Sequence, residues 1–293
     1  NFQCDSTITL CKLCDVKMQK GIEKDFEFLK EVIAEKTGFF PQRYKVRPLK
    51  RRIAVRLRYR KIDSYSEYAR LLEKDKEEQG LLRKALTINV SKFFRNYETF
   101  QKIKEVVLPQ ILRENEMRGK AIKVWCAGCA TGEEVYSIAM LLDRFLLMNG
   151  STMAFFVIGT DIDQDSLDTA RTGCYKEADF DETPEYFLRK YFKRDDEFCV
   201  IDKIKEKVKF LKIDIEEENS DLERFDITLF RNVLIYMEKN FQEKILLKIY
   251  GRLNEKGFLV LGKVETLIGK VKSLFTTVDA RERIFKKCQI VEK

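Results

Sequence analysis

The sequence predicts an α/β domain preceded by a small all-α domain. From about residue 120 onward, short apolar runs alternate with amphipathic helical patterns, which is the grammar of a parallel sheet with helices on both faces. Before that point no two-residue alternation occurs, and apolar residues recur at helical spacing. The chain has 293 residues, 44% hydrophobic and 35% charged. That is enough for two soluble globular domains.

The elements follow in order. Residues 1–17 read as a tail, 18–115 as a helical domain with a linker helix, and 116–293 as the sheet domain. FEFLKEVIAEKTG has helical spacing and stops at Gly38. KRRIAVRLRYRK, after Pro48, is a basic amphipathic helix with Ile53, Leu57 and Tyr59 inward. DSYSEYARLLEKDKEE opens on a cap at Asp63 or Ser64 and buries Tyr65, Tyr68, Leu71 and Leu72. EEQGLLRKALTINVS leads into KFFRNYETFQKIKEVVLPQIL. After Gly119 come the strand AIKVWCAG, a helix ending at Gly150, the strand MAFFVIGTDID, and the helix QDSLDTARTG stopped by Gly173. KVKFLKID, FDITLFRNVLIYM and GFLVLGKVET read as further strands, with the helix KNFQEKILLKIYGRLNEKG before the last. FTTVDARERIFKKC reads as one or two final strands. The charged stretch 175–207 interrupts the alternation as a small insertion.

No run approaches the ~18 apolar residues of a membrane span, and residues 1–20 hold no apolar segment of a signal peptide. Cytoplasm is the expected compartment, and the missing initiator Met fits a truncated product. From Arg43 to Lys61 there are ten basic residues and no acid: Arg43, Lys45, Arg47, Lys50, Arg51, Arg52, Arg56, Arg58, Arg60 and Lys61. Such a stripe implies an acidic partner, whether nucleic acid, anionic lipid or protein. Histidine is absent, which removes the commonest general base and a common zinc ligand. The eight cysteines form no convincing framework, so reduced thiols are expected. Cys4, Cys11 and Cys14 cluster without a fourth ligand, and no metal is expected.

The stretch WCAGCATGEEVYS (125–137) supports three readings: a CxxC redox or zinc motif, a glycine loop for a nucleotide, and a helix start. Gly128 and Gly132 let the backbone approach a ligand, and the next strand ends in Asp161, suited to a ribose diol. The full GxGxxG is missing. Glu133 and Glu134 would repel a pyrophosphate. They suit a ligand that carries positive charge and a ribose but no phosphate, as S-adenosylmethionine does. Cys126 ends a buried strand, not an exposed helix start, so the redox reading weakens.

SKFFRNYETF (91–100), VWCAGCATGEEVYSIAM (124–140), GTDIDQDSLDTARTGCY (159–175) and FRNVLIYM (230–237) together resemble the CheR-type chemoreceptor glutamate methyltransferases. The resemblance runs from about residue 20 to the C-terminus. It implies a helical N-terminal domain bearing a basic helix, then a class I, Rossmann-like S-adenosylmethionine-dependent methyltransferase domain with an inserted β-subdomain. It also implies roles for residues. Asn89, Ser91 and Arg95 would lie in a linker over the cofactor. Gly128 would admit it, Glu133 rather than Glu134 would hold its ammonium, and Asp161 its ribose. Asp214 and Ile215 would face the adenine, and Arg231 and Asn232 would border the pocket. Arg95 and Tyr236 would position the accepting carboxylate. Ser91 stands where the family often has Thr, Val135 replaces a usual Pro, and GKVET (262–266) replaces a stretch containing His.

The resemblance implies a substrate that agrees with the composition. A glutamate is ionised at neutral pH, and displacement at a sulfonium methyl requires alignment more than a base. Arg51, Arg52, Arg56, Arg58 and Arg60 would meet the acidic methylation region of a receptor's cytoplasmic helical bundle. Arg52, Arg56 and Arg60 would share a helix face. FKRDDEFCVID is short and lacks glycine, so dependence on a receptor C-terminal pentapeptide tether is not expected. Neither nucleic-acid binding nor membrane insertion is expected. The alternatives are a methyltransferase of RNA or another protein, and a non-catalytic cofactor-binding signalling module.

Overall fold

The computed structural model describes residues 6–87, 91–216 and 223–288, with side chains from Gly21 onward. The chain forms two compact units, residues 1–88 and 89–293.

The first unit contains α1 (Ser6–Thr37), α2 (Val46–Arg60), α3 (Tyr65–Lys74) and α4 (Lys76–Leu86). Helix α1 begins inside the segment read as a tail. Phe26, Leu29 and Ile33 of α1 pack with Leu49, Ile53 and Leu57 of α2, and with Tyr68, Leu72, Leu82 and Leu86 beyond. Ser64 caps α3 by accepting from the Glu67 N–H at 3.2 Å, and Asp75 caps α4 by accepting from the Glu78 N–H at 2.9 Å. Tyr59, expected inward, is 72% exposed. The inward stripe of α2 is 49-53-57, and two residues on from Leu57 is about 200° around the helix.

The second unit begins with the linker at 91–96, α5 (Tyr97–Lys102), a π-turn (Ile103–Val107) and α6 (Leu108–Arg118). The boundary between compact units therefore falls near residue 88, earlier than the change of sequence grammar at 115–120. Phe93, Phe94, Phe100, Ile103, Val107 and Ile111 are buried in the same core as the strands. A change from helix to strand is not a change of core.

The remaining elements are β1 (Ile122–Ala127), α7 (Glu133–Met148), β2 (Phe155–Asp161), α8 (Gln164–Thr172), β3 (Cys174–Tyr175), α9 (Glu185–Tyr191), β4 (Phe192–Arg194), β5 (Phe198–Val200), α10 (Asp202–Lys205), β6 (Val208–Lys212), β7 (Phe225–Phe230), α11 (Lys239–Arg252), β8 (Leu253–Leu261), β9 (Phe275–Asp279) and β10 (Ile284–Lys287). Seven form one sheet in the order β6-β2-β1-β7-β8-β10-β9. The first five are parallel, and β10 is antiparallel to both neighbours. The chain runs outward from β1 to β6, then returns to β7 on the other side of β1. That reversal creates a switch point, where open α/β sheets bind ligands beyond the strands' carboxyl ends. All six residues of β7 are buried, as a central parallel strand with both faces covered requires. The segment read as one strand, FDITLFRNVLIYM, stops at Phe230 and turns. Trp125 is 2% exposed, donates to Thr160 Oγ1 at 2.9 Å and stacks on Phe225. The edge strand β6 displays exposed Lys209 and Lys212, which discourage pairing with another chain.

The insertion is a small antiparallel sheet, β3-β5-β4. Cys174 and Cys199 lie opposite each other in its register and form a disulfide. This corrects the expectation of reduced thiols for that pair: 25 residues of separation conceal a cross-strand neighbour. Among the described residues no helix is long and apolar enough to cross a membrane.

Candidate active site

The loop after β1 builds one side of the site. Gly128 (φ 67°) is exposed, whereas Cys126 and Cys129 are buried and unlinked. Burial pushes both thiols well above their usual range, so they are not a thiolate pair. Gly132 has φ 93°, and a Cβ there would lie 2.8 Å from that of Ala170. Only glycine satisfies both demands. Tyr175 in β3 locks this loop by donating to the Thr131 carbonyl at 2.6 Å.

The two adjacent acids at the start of α7 have different surroundings. Glu133 is 3% exposed and accepts from the Thr131 hydroxyl at 2.7 and 2.9 Å and from the Ser91 hydroxyl. Burial pushes its carboxyl up, the hydroxyls pull it down, and the net shift is upward. Among the described residues no cationic side chain pairs with it. Glu134 instead forms a buried ion pair with Arg231 at 2.9 Å. Arg231 also donates to the Arg95 carbonyl at 2.7 Å and to Asn96 Oδ1 at 3.1 Å. It is thus a strut from α7 to the linker, and its pocket-side role is indirect. The buried Nε of Arg231 has no acceptor among the described residues.

The linker is bent into this position. Phe94 and Asn96 have φ 52° and 60°, an unusual conformation for a bulky aromatic residue. Phe94 donates its N–H to Ser137 Oγ at 2.9 Å, and Phe93 stacks on Phe180. Arg95, between them, is half-buried, and its charge pulls on Glu134. Asn89 lies outside the described residues.

Beyond β2, half-buried Asp161 accepts from the N–H groups of Ala130 and Asp163, each at 2.9 Å. Its carboxylate also accepts from the Ile162 N–H, which leaves about one of its roughly four acceptor positions for a ribose hydroxyl. Asp214 and Ile215 follow β6, both half-buried, and Asp214 accepts from the Glu216 N–H. Asn232 (φ 63°) and half-buried Tyr236 lie in the turn after β7. Among the described residues, Phe94, Asn96, Ala130 and Asn232 are four of the seven non-glycine residues with positive φ. Such strain persists where the surroundings over-determine it, commonly at functional sites.

The rim therefore combines an exposed glycine turn with half-buried and buried acceptors, one of them a carboxylate with no cationic partner. This donor-poor set fits a cationic nucleoside and does not fit a pyrophosphate. A family model described as CheR methyltransferase, SAM binding domain, matches residues 89–284, and CheR methyltransferase, all-alpha domain, matches residues 24–87. The chain belongs to the CheR methyltransferase family. The Listeria monocytogenes chemotaxis protein methyltransferase is 29% identical over 86% of this chain and 93% of its own length. Chemotaxis protein methyltransferase 1 of Pseudomonas aeruginosa is 32% identical over 67% of this chain and 74% of its own. The chain spans only 25% of a Rhodobacter capsulatus relative, an uncharacterized 104.1 kDa protein, at 30% identity. A TehB-like SAM-dependent methyltransferase structure from Corynebacterium glutamicum superposes with a TM-score of 0.35 at 14% identity, over 62% of this chain and 96% of that one. By its two family models and its sheet order, this CheR-family chain is an S-adenosylmethionine-dependent methyltransferase whose Rossmann-like domain follows an all-α domain in sequence.

The basic helix α2 corrects one expectation about the CheR all-α domain. Arg52, Arg56 and Arg60 do share a face, but that face meets α4. Arg52 donates to the Ala85 carbonyl at 3.0 Å, Arg56 grips fully buried Glu78 with two bonds of 2.9 and 2.7 Å, and Arg60 pairs with Asp75 at 2.9 Å. Tyr68 donates to the same Glu78. The exposed basic positions are Arg47, Arg51, Arg58, Arg60 and Lys61, and of these Arg60 is the one tied to Asp75. Lys263, in the stretch where the resemblance implied His, pairs with Glu98 and Glu282. Sequence reasoning misses Glu265 and Tyr175, which bond backbone groups that carry no sequence signal, and Thr131, whose hydroxyl bonds Glu133.

Proposed function

We propose that this chain transfers the methyl of S-adenosylmethionine to glutamate side-chain carboxylates on chemoreceptor cytoplasmic helices. The products are glutamate methyl esters and S-adenosylhomocysteine. The observation that carries the cofactor half is Glu133, a buried carboxylate without a cationic partner beside an exposed glycine turn. The relatives' description as chemotaxis protein methyltransferases and the acid-free α2 face, Arg47, Arg51 and Arg58, support the acceptor half.

The cofactor supplies an electrophilic methyl on a positively charged sulfur. Glu133 holds the ammonium, Asp161 the ribose hydroxyls, and Asp214 with Ile215 the adenine. Gly128 leaves room for close approach. Arg95 and Tyr236 orient the incoming carboxylate in line with the methyl. One carboxylate oxygen forms the new O–C bond as the S–C bond breaks, and opposite charges are neutralised together. No proton need be abstracted, so the lack of histidine is no obstacle. Alignment and exclusion of water supply the rate.

Arg51 and Arg58 meet the acidic receptor surface, and Arg52, Arg56 and Arg60 hold α2 against α4. The short acidic turn at 195–197 lacks glycine, so methylation proceeds without a pentapeptide tether. The test is transfer of labelled methyl to receptor fragments, recovered as base-labile carboxyl esters. Label in RNA, or no transfer despite tight cofactor binding, refutes the reading.

A further inference from the structure

We propose that Glu265 is a positioning residue for methyl transfer, fastening the turn that carries Asn232 and Tyr236. This rests on the reading of that turn as one wall of the methyl-transfer centre.

Glu265 follows β8, in GKVET, and is 3% exposed. Its Oε2 accepts from the Gly262 N–H at 2.7 Å and from the Asn232 N–H at 2.9 Å. Its Oε1 accepts from the Ile235 N–H at 3.2 Å. Among the described residues no cationic side chain pairs with it. A carboxylate taken out of water without a counter-ion is costly, yet here only backbone N–H groups compensate it. Those groups come from two turns that are remote in sequence, one after β7 and one after β8. The carboxylate is the staple between them.

Asn232 is held at φ 63°, a left-handed conformation that asparagine adopts more readily than other side-chain-bearing residues and that the turn must keep fixed. The bond from its N–H to Glu265 is one such restraint. Gly262 completes the fit: a Cβ there would lie 2.8 Å from Glu265 Oε2 and 2.9 Å from the Asn232 nitrogen. No side chain can enter without displacing the staple. Tyr236 follows one residue after Ile235, so a loosened staple moves Tyr236 and leaves Glu133 and Asp161 untouched.

The test uses the full chain with Glu265→Gln and, from the opposite side, Gly262→Ala. The glutamine keeps the shape but, whichever way its amide turns, presents an NH2 to at least one backbone donor that expects an acceptor. Expected for both is a kcat loss of roughly 100-fold toward receptor fragments, the scale of a small misplacement. The affinity for S-adenosylhomocysteine should hardly change. Amide exchange at Asn232 and Ile235 in the cofactor-free protein should accelerate. Wild-type kcat in Glu265→Gln, or loss of cofactor affinity in step with kcat, overturns the proposal. If the wild type itself methylates no receptor fragment, the substrate reading fails, while the exchange measurement still decides whether Glu265 holds the turn.

Discussion

Exchanging the two adjacent acids of α7 should give opposite phenotypes. Glu133 is 3% exposed, with no cationic partner among the described residues. A carboxylate offers about four acceptor positions, and the Thr131 and Ser91 hydroxyls together with the Glu133 N–H fill three. The remainder suits an ammonium. One charge-assisted hydrogen bond contributes about 1.5–3 kcal/mol, which converts to roughly 10- to 150-fold in affinity. Glu133→Gln should weaken S-adenosylhomocysteine by that factor in a calorimetric titration, because this product keeps the ammonium and cannot react. The same change removes a desolvated charge, so the cofactor-free protein should be as stable as the wild type or more so. Glu134→Ala behaves differently, since it leaves Arg231 buried without a counter-charge. Removal of one partner of such a pair costs about 3–5 kcal/mol, read in thermal or denaturant unfolding. Affinity within about twofold of wild type in Glu133→Gln, with unchanged stability in Glu134→Ala, would refute both assignments.

Three further outcomes are expected. Burial raises the carboxyls of Glu133, Asp161 and Glu265, so from about pH 4.3 up to their raised values the folded chain holds more protons than the unfolded. Stability therefore falls as pH rises through that window. The Glu78 N–H holds Asp75 low, and Lys256 holds Glu114 low, so their contributions are lost only as pH falls through those lowered values. The Tm of the cofactor-free protein should peak in mild acid while its affinity for S-adenosylhomocysteine declines there, and a Tm that climbs steadily to pH 8 contradicts this. Arg51→Glu with Arg58→Glu should lower kcat/KM for receptor fragments roughly tenfold or more, most strongly at low salt, with unchanged Tm; Arg56→Ala should lower Tm instead. Non-reducing peptide mapping should recover Cys174 linked to Cys199, with reduction lowering stability by about 2–4 kcal/mol; alkylation of both thiols in the unreduced native protein would exclude the bond.

The order of strands and helices in the sheet unit was legible because buried parallel strands are continuous apolar runs and helices announce their stops with Gly119, Gly150 and Gly173. The loop chemistry was legible too, since Gly128, Gly132, Glu133 and Asp161 belong to two short motifs at the ends of successive strands. Three features were not. The linker's membership of the sheet unit depends on where Phe93 and Phe94 are buried, which helical periodicity does not encode. The inward turn of Arg52, Arg56 and Arg60 depends on three separate acceptors along the facing helix and its cap: the Ala85 carbonyl, Glu78 and Asp75. The Glu265 staple is written in backbone N–H groups, which every residue but proline supplies.

Trp125 is the protein's one tryptophan, and it lies in the strand flanked by β2 and β7. Fluorescence excited selectively at the indole therefore reports on the sheet unit and is silent about the helical one. Its quantum yield and emission maximum follow the seam from Thr160 to Phe225, directly beneath the strand ends that carry the candidate site. Paired with a helix-weighted signal such as far-ultraviolet circular dichroism, it turns a one-colour melt into two. Whether the units unfold together or in sequence can be read from a single unmodified sample, without a label.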